Sequence, residues 1–147
     1  MAFYVYANDG ANQDLGSASN TTYVKVEWER IIYEQGGSNF SLTDNQYIIP
    51  AGCTGLWQWN LNLTWSVPNA SIQFLEATIN NSNGTPISIA GLTHASNESG
   101  GNDYSGVQVS GIMKCTAGDT IYINARQGQA SSSKIFISSN WSGYFVG

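Results

Sequence analysis

The stretch Ile49-Pro50-Ala51-Gly52-Cys53-Thr54-Gly55-Leu56-Trp57-Gln58-Trp59-Asn60-Leu61-Asn62-Leu63-Thr64-Trp65 decides the fold. Past Gly55, Trp57, Trp59, Leu61, Leu63 and Trp65 alternate with Gln58, Asn60, Asn62 and Thr64. A period of two sends successive side chains to opposite faces of a strand, whereas a helix would scatter them around its axis. One face is therefore large and apolar, and the other consists of amides and a hydroxyl. Burying each large apolar side chain stabilises by roughly 1.5–3 kcal/mol, so this is the expected core strand. Its uncharged polar face suits a wet, hydrogen-bonding contact better than open solvent, although open solvent is the commoner surrounding of such a face.

The surrounding composition agrees. Charged residues make up 10% of the 147, while Gly, Ser, Asn and Thr are abundant. The usual charged share is about a quarter. Few Leu, Glu and Lys argue against helices, and many Val, Ile, Thr, Tyr and Trp argue for strands, giving an all-β class. The length suits one domain spanning 1–147 with a substantial core.

A net charge of -5 with five Lys and Arg excludes the cationic stripe that nucleic-acid binding needs. No apolar run approaches the roughly 20 residues of a membrane helix, so no membrane partner is expected. Met1 leads into Phe3-Tyr4-Val5-Tyr6 without a basic-then-apolar leader, so the expected site of synthesis is a cytoplasm. Cys53 and Cys115 read either as two reduced, buried thiols or as a bridge. With His94 the single histidine, a four-ligand zinc site cannot be completed, and neither metal nor cofactor is expected.

Further strands are expected over Ala2 to Ala7, Thr22 to Tyr33, Phe40 to Ile49 (broken at Asp44-Asn45), Ala70 to Asn80, Thr85 to Thr93, Tyr104 to Cys115, Thr120 to Ala125, and Lys134 to Gly147. The apolar phase slips at Arg30-Ile31-Ile32, which predicts a bulge or a switch between sheets. Asn83-Gly84 marks a hairpin turn. About eight to ten short strands at this spacing predict a β-sandwich or jelly roll.

Three pieces carry a resemblance: Ile49-Pro50-Ala51-Gly52 with Leu56-Trp57-Gln58-Trp59, then Ala117-Gly118-Asp119-Thr120-Ile121-Tyr122-Ile123, then Trp141-Ser142-Gly143-Tyr144-Phe145-Val146. In this order they resemble the jelly roll shared by the complement globular head and the tumour necrosis factor superfamily. The resemblance implies two antiparallel sheets of about ten strands, assembling as a homotrimer. It also implies that the last strand, the Trp-rich strand and the strand ending at Cys115 lie side by side. Cys53 would then approach Cys115, and a bridge closing about 60 residues would be worth roughly 4 kcal/mol. The trimer contact implied is Gln58, Asn60, Asn62 and Thr64, with Tyr122 and Tyr144 from adjoining strands. The inserted Cys53-Thr54 departs from the family pattern.

Nothing in the sequence assembles a catalytic centre. His94 falls in a stretch read as a Gly/Ser/Asn loop, without a companion nucleophile. Glu27 and Glu29 would stand about 7 Å apart on one strand face, but Lys25 and Arg30 flank them, so a solvated or inter-subunit salt-bridged face is expected. Asp9, Asn12 and Asp14 lack the ordered ligands of a calcium loop. The expectation is a structural virion protein, a trimeric knob decorating or cementing a bacteriophage capsid. The alternative is a fibre-tip module reading a host receptor or surface glycan through its loops, with Tyr104 and Trp141 as candidate sugar-stacking rings. Core packing is the more ordinary use of Trp141.

Overall fold

The Trp-rich strand lies inside a five-stranded antiparallel sheet, paired along its whole length on one side and over 57–62 on the other. In this computed structural model the described residues are 1–7, 13, 23–68, 73–82, 88–95, 102–127 and 138–147. They form β1 (Ala2–Ala7), β2 (Val24–Lys25), β3 (Arg30–Gln35), β4 (Phe40–Ser41), β5 (Gln46–Ile48), β6 (Gly55–Pro68), β7 (Gln73–Asn81), β8 (Ser88–Ala95), β9 (Asn102–Cys115), β10 (Thr120–Gln127) and β11 (Ser139–Phe145). One sheet runs β3-β1-β11-β6-β9; the other runs β4-β5-β10-β7-β8, with β2 paired to β10. The two make a jelly-roll sandwich. As the resemblance implied, β11, β6 and β9 are neighbours.

The period-two reading of β6 holds. Trp57, Trp59, Leu61 and Leu63 are buried, and Gln58, Asn60, Asn62 and Thr64 face outward, half-buried. Facing residues of β1, β9 and β11 complete the layer: Phe3, Val5, Val107, Val109, Met113 and Trp141 are buried on the same side. The second sheet supplies Tyr47, Ala77, Ile79, Ile121, Ile123 and Ala125. Aromatic rings pack in series, with Trp57 stacked on Trp59 at 5.5 Å, Trp59 against Trp141 at 5.9 Å, and Phe3 stacked on Tyr47 at 4.2 Å. Such pairs add about 0.5–1.5 kcal/mol each beyond burial.

The phase slip at Arg30 marks both predicted events. The chain leaves β2 in the second sheet, crosses with Val26 and Trp28 buried, and enters β3 in the first. There the pairing with β1 shifts register between Tyr4 and Val5.

The Thr116–Asp119 turn is closed by the Asp119 carboxylate. Its Oδ2 accepts the Thr116 backbone N–H at 2.8 Å and the Asn81 side-chain N–H at 2.6 Å. Gly118 takes φ +90°, where side chains with a Cβ are strained. The Asp119 carbonyl then accepts the Ile49 N–H at 2.9 Å, tying this turn to the chain entering β6.

Candidate functional site

Strand register places the outward residues of the first sheet in cross-strand rows. One row reads Tyr6, Asn140, Asn62, Gln108, and the next reads Tyr4, Ser142, Asn60, Ser110. The following row reads Ala2, Tyr144, Gln58, Ile112, and beyond it Leu56 faces Lys114. Adjacent strands sit about 4.8 Å apart, so each row is a continuous line of side chains.

The polar part of this face is partly cross-linked. The Gln58 amide donates to Ser110 Oγ at 3.0 Å, and Ser110 donates to Asn60 Oδ1 at 2.9 Å. Beside them lies a shallow depression of 270 Å³ walled by Asn60, Leu61, Asn62, Gln108, Val109, Ser110 and Asn140. No charged side chain lines it.

Gln58, Asn60, Asn62, Thr64 and Tyr144 therefore share one face, as expected, and Tyr144 stands directly beside Gln58. Tyr122 does not. It lies on β10 in the opposite sheet, paired with Gln46 and Asn80, with the Lys25 ammonium 5.0 Å over its ring. Alternation tells which way Tyr122 points from its strand, but not to which sheet that strand belongs.

Three residues of the face were missed. Leu56, Ile112 and Val146 are 45%, 59% and 55% exposed. Ile112 ends the Gln58 row, Leu56 stands in the next one, and the Val146 N–H donates to the Leu56 carbonyl. The signal was present for Leu56 and Ile112: each is apolar in the polar phase of its strand.

The bridge between Cys53 and Cys115 is absent: both cysteines are free and buried. Pairing puts Cys115 opposite Gly55, while Cys53 precedes the ladder in a turn held by its N–H on the Pro50 carbonyl. The Cys53 carbonyl is itself engaged, accepting the Trp57 indole N–H at 3.0 Å. Burial, and then the Asp119 charge, push the Cys115 thiol up to about 12. A buried thiol so rarely ionised reacts slowly, because the thiolate is the nucleophile. The native protein is expected to resist a thiol reagent at about pH 8 and to release two reactive thiols per chain on unfolding without reductant. Fewer than two would mean that a bridge forms after all.

Other expectations change too. Trp141 is fully buried and cannot meet a sugar ring; the Tyr104 side chain lies outside the described residues. His94 belongs to β8, opposite Phe74, rather than to a loop. Glu27 lies beyond the end of β2 and is exposed, so it and Glu29 do not share a strand face. Asp9, Asn12 and Asp14 lie outside the described residues. Among the described residues no group of three or more His, Cys, Asp or Glu could hold a metal ion, and no helix is long and apolar enough to cross a membrane.

No protein-family model and no curated protein sequence matches the chain. Solved structures do. The globular domain of zebrafish complement 1qA superposes with a TM-score of 0.69 at 14% identity, covering 99% of this chain and 97% of that one. The Eiger TNF from S. frugiperda superposes with a TM-score of 0.65 at 8% identity, covering 100% and 92%. The chain thus has the jelly-roll fold of C1q-like and TNF-like domains.

Proposed function

We propose that three copies of this chain associate through the outer face of β11, β6 and β9, and that the trimer is a structural element of a virion, decorating or cementing a bacteriophage capsid. The observation that carries the association is the apolar end of that face. Leu56, Ile112, Tyr144 and Val146 gather there at 45–59% exposure. Apolar residues exposed singly are ordinary, but a contiguous cluster marks a contact surface. Covering the exposed half of each would contribute about half of the roughly 1.5–3 kcal/mol that full burial is worth. In the family the chain resembles this same sheet faces the threefold axis, which favours the reading, and the adjacent amides can pair with their counterparts or with trapped water. The virion role is the finer part of the reading; sparse charge and dense strand pairing favour a protein that must persist outside cells.

The wild-type protein is expected to sediment at three times its chain mass. The Leu56→Lys, Ile112→Lys variant should sediment at one chain mass with an unchanged far-ultraviolet spectrum, since both side chains project from the sheet. A single-chain mass for the wild type would remove the association. The trimer should also bind purified capsids and raise the temperature at which they open; no binding would remove the virion role.

A further inference from the structure

The outward face of the second sheet lies on the far side of the sandwich from the proposed threefold contact, so that assembly leaves it open. Along one side of β10 two short strands follow each other there: Lys25 of β2 stands beside Asn124, and Gln46 of β5 stands beside Tyr122. Tyr122 and Asn124 are two residues apart and point to one face, so the four side chains mark the corners of a patch about 5 Å by 7 Å. All four are half-buried.

The patch is rich in unspent donors. The Lys25 ammonium lies 5.0 Å over the Tyr122 ring and donates to Gln46 Oε1 at 3.1 Å. It forms no ion pair among the described residues. An ammonium has three N–H donors, so two remain. With its oxygen engaged by Lys25, the Gln46 carboxamide keeps its NH2 unbonded, and the Asn124 carboxamide forms no hydrogen bond among the described residues. On β7, by contrast, the Asn80 NH2 is spent on the Thr78 hydroxyl at 2.9 Å and the Thr78 carbonyl at 3.1 Å. Burial away from a carboxylate disfavours an ammonium. It holds Lys25 below the usual lysine range, with Asp44 acting in the opposite direction.

Charge sets the class of ligand. One uncompensated cation balances one negative charge. The next cation along β10, Arg126, is already paired with Glu76. Asp44, the acid that acts on Lys25, is exposed, and its carboxylate accepts the Ser41 hydroxyl at 2.8 Å. A dianionic phosphate or sulfate would bring a charge that nothing in the patch balances, near Asp44 and in a chain of net charge -5. A carboxylate brings a single charge and two oxygens with about four acceptor sites, and its bonds to an ammonium are charge-assisted.

We propose that this patch binds a carboxylate, with Lys25 supplying the counter-charge, the Gln46 and Asn124 carboxamides donating to its oxygens, and the Tyr122 ring backing the ammonium. The site goes beyond the assembly proposed above and does not depend on it. It is open to water, so affinity for a lone carboxylate is on the order of millimolar.

The test is a titration of the 13C,15N-labelled full chain at constant ionic strength, which holds screening fixed. The probes are acetate, N-acetyl-aspartic acid amide and N-acetylneuraminic acid, with acetamide and inorganic sulfate as controls. The Lys25 Cε signal and the side-chain NH2 signals of Gln46 and Asn124 should shift saturably with a carboxylate and stay still with acetamide. Binding of either the aspartate or the acidic sugar supports the site, and the tighter of the two identifies the source as a peptide or a glycan. Lys25→Met, which keeps an apolar stem over Tyr122, should weaken binding at least about tenfold. Gln46→Glu serves should that variant fail to fold: it hands Lys25 a carboxylate of the chain's own and should abolish binding. No saturable shift, shifts confined to other residues, sulfate bound more tightly than every carboxylate, or undiminished binding by a folded variant would overturn the proposal. A threefold mass without carboxylate-dependent shifts would overturn this site and leave the assembly standing; a single-chain mass with such shifts would do the reverse.

Discussion

Replacing Gly143 by alanine is expected to cost about 3 kcal/mol of unfolding free energy, the upper end of what overpacking a core costs. Gly143 lies on β11 between Phe3 of β1 and Trp59 of β6. A Cβ there would sit 2.5 Å and 2.6 Å from Trp59 Cζ3 and Cε3, and 2.8 Å from Phe3 Cε1. Neither ring has room to yield. Trp59 is fully buried, stacked on Trp57 and packed against Trp141, while Phe3 is stacked on Tyr47. Relief must therefore come from shifting β11 against β6, which weakens the ladder on both sides. Gly52→Ala is the control. Its φ is +81° and nothing lies within 4 Å of the added methyl, so backbone strain alone should cost about 1 kcal/mol. Urea unfolding of the two variants separates the effects, and equal costs would show that the Trp59 contact is not the constraint.

Asp119→Ala is expected to cost about 2–4 kcal/mol. The carboxylate is 7% exposed, and a single oxygen, Oδ2, accepts both the Thr116 backbone N–H and the Asn81 side-chain N–H. Removing it takes away a charged acceptor where water cannot easily substitute, and losses of that kind exceed the net worth of an ordinary hydrogen bond. The turn also fixes its surroundings: Gly118 donates to the Ile49 carbonyl, Ile49 donates to the Asp119 carbonyl, and Ser82 donates to the Thr120 carbonyl. Loosening it should therefore lower the protection of the Ile49 and Ser82 amides in hydrogen exchange more than that of β6. Asp119→Asn, which retains one carbonyl oxygen, should lose roughly half as much. A loss below about 1 kcal/mol for the alanine variant would mean that the turn is held by its backbone alone.

How far the interaction face was legible follows from the same physics. Gln58, Asn60, Asn62 and Thr64 could be assigned to one side of β6 because alternation is a property of a single strand. Tyr144 came with them because the terminal strand was recognised as a neighbour. Tyr122 went astray because its strand alternates just as cleanly in the other sheet. Leu56 and Ile112 were visible as apolar residues out of phase, yet only their convergence beside Tyr144 makes them a patch. The depression was not readable at all, since Asn140 and Gln108 reach Asn62 through pairings with β11 and β9 that are distant in sequence.

What the amino-acid sequence determined by itself was local: strand rather than helix, the inward set of each strand, the Gly118-Asp119 turn, and a chain too poor in cations to follow a phosphate backbone. Those outcomes depend on side-chain size, charge and period, which are fixed residue by residue. The tertiary structure alone decided which sheet each strand joins, the register that sets Cys115 against Gly55 and leaves both thiols free, and which outward residues stand together. Register and sheet partnership are chosen by the packing of the whole core, where a slip of one residue turns an entire face over.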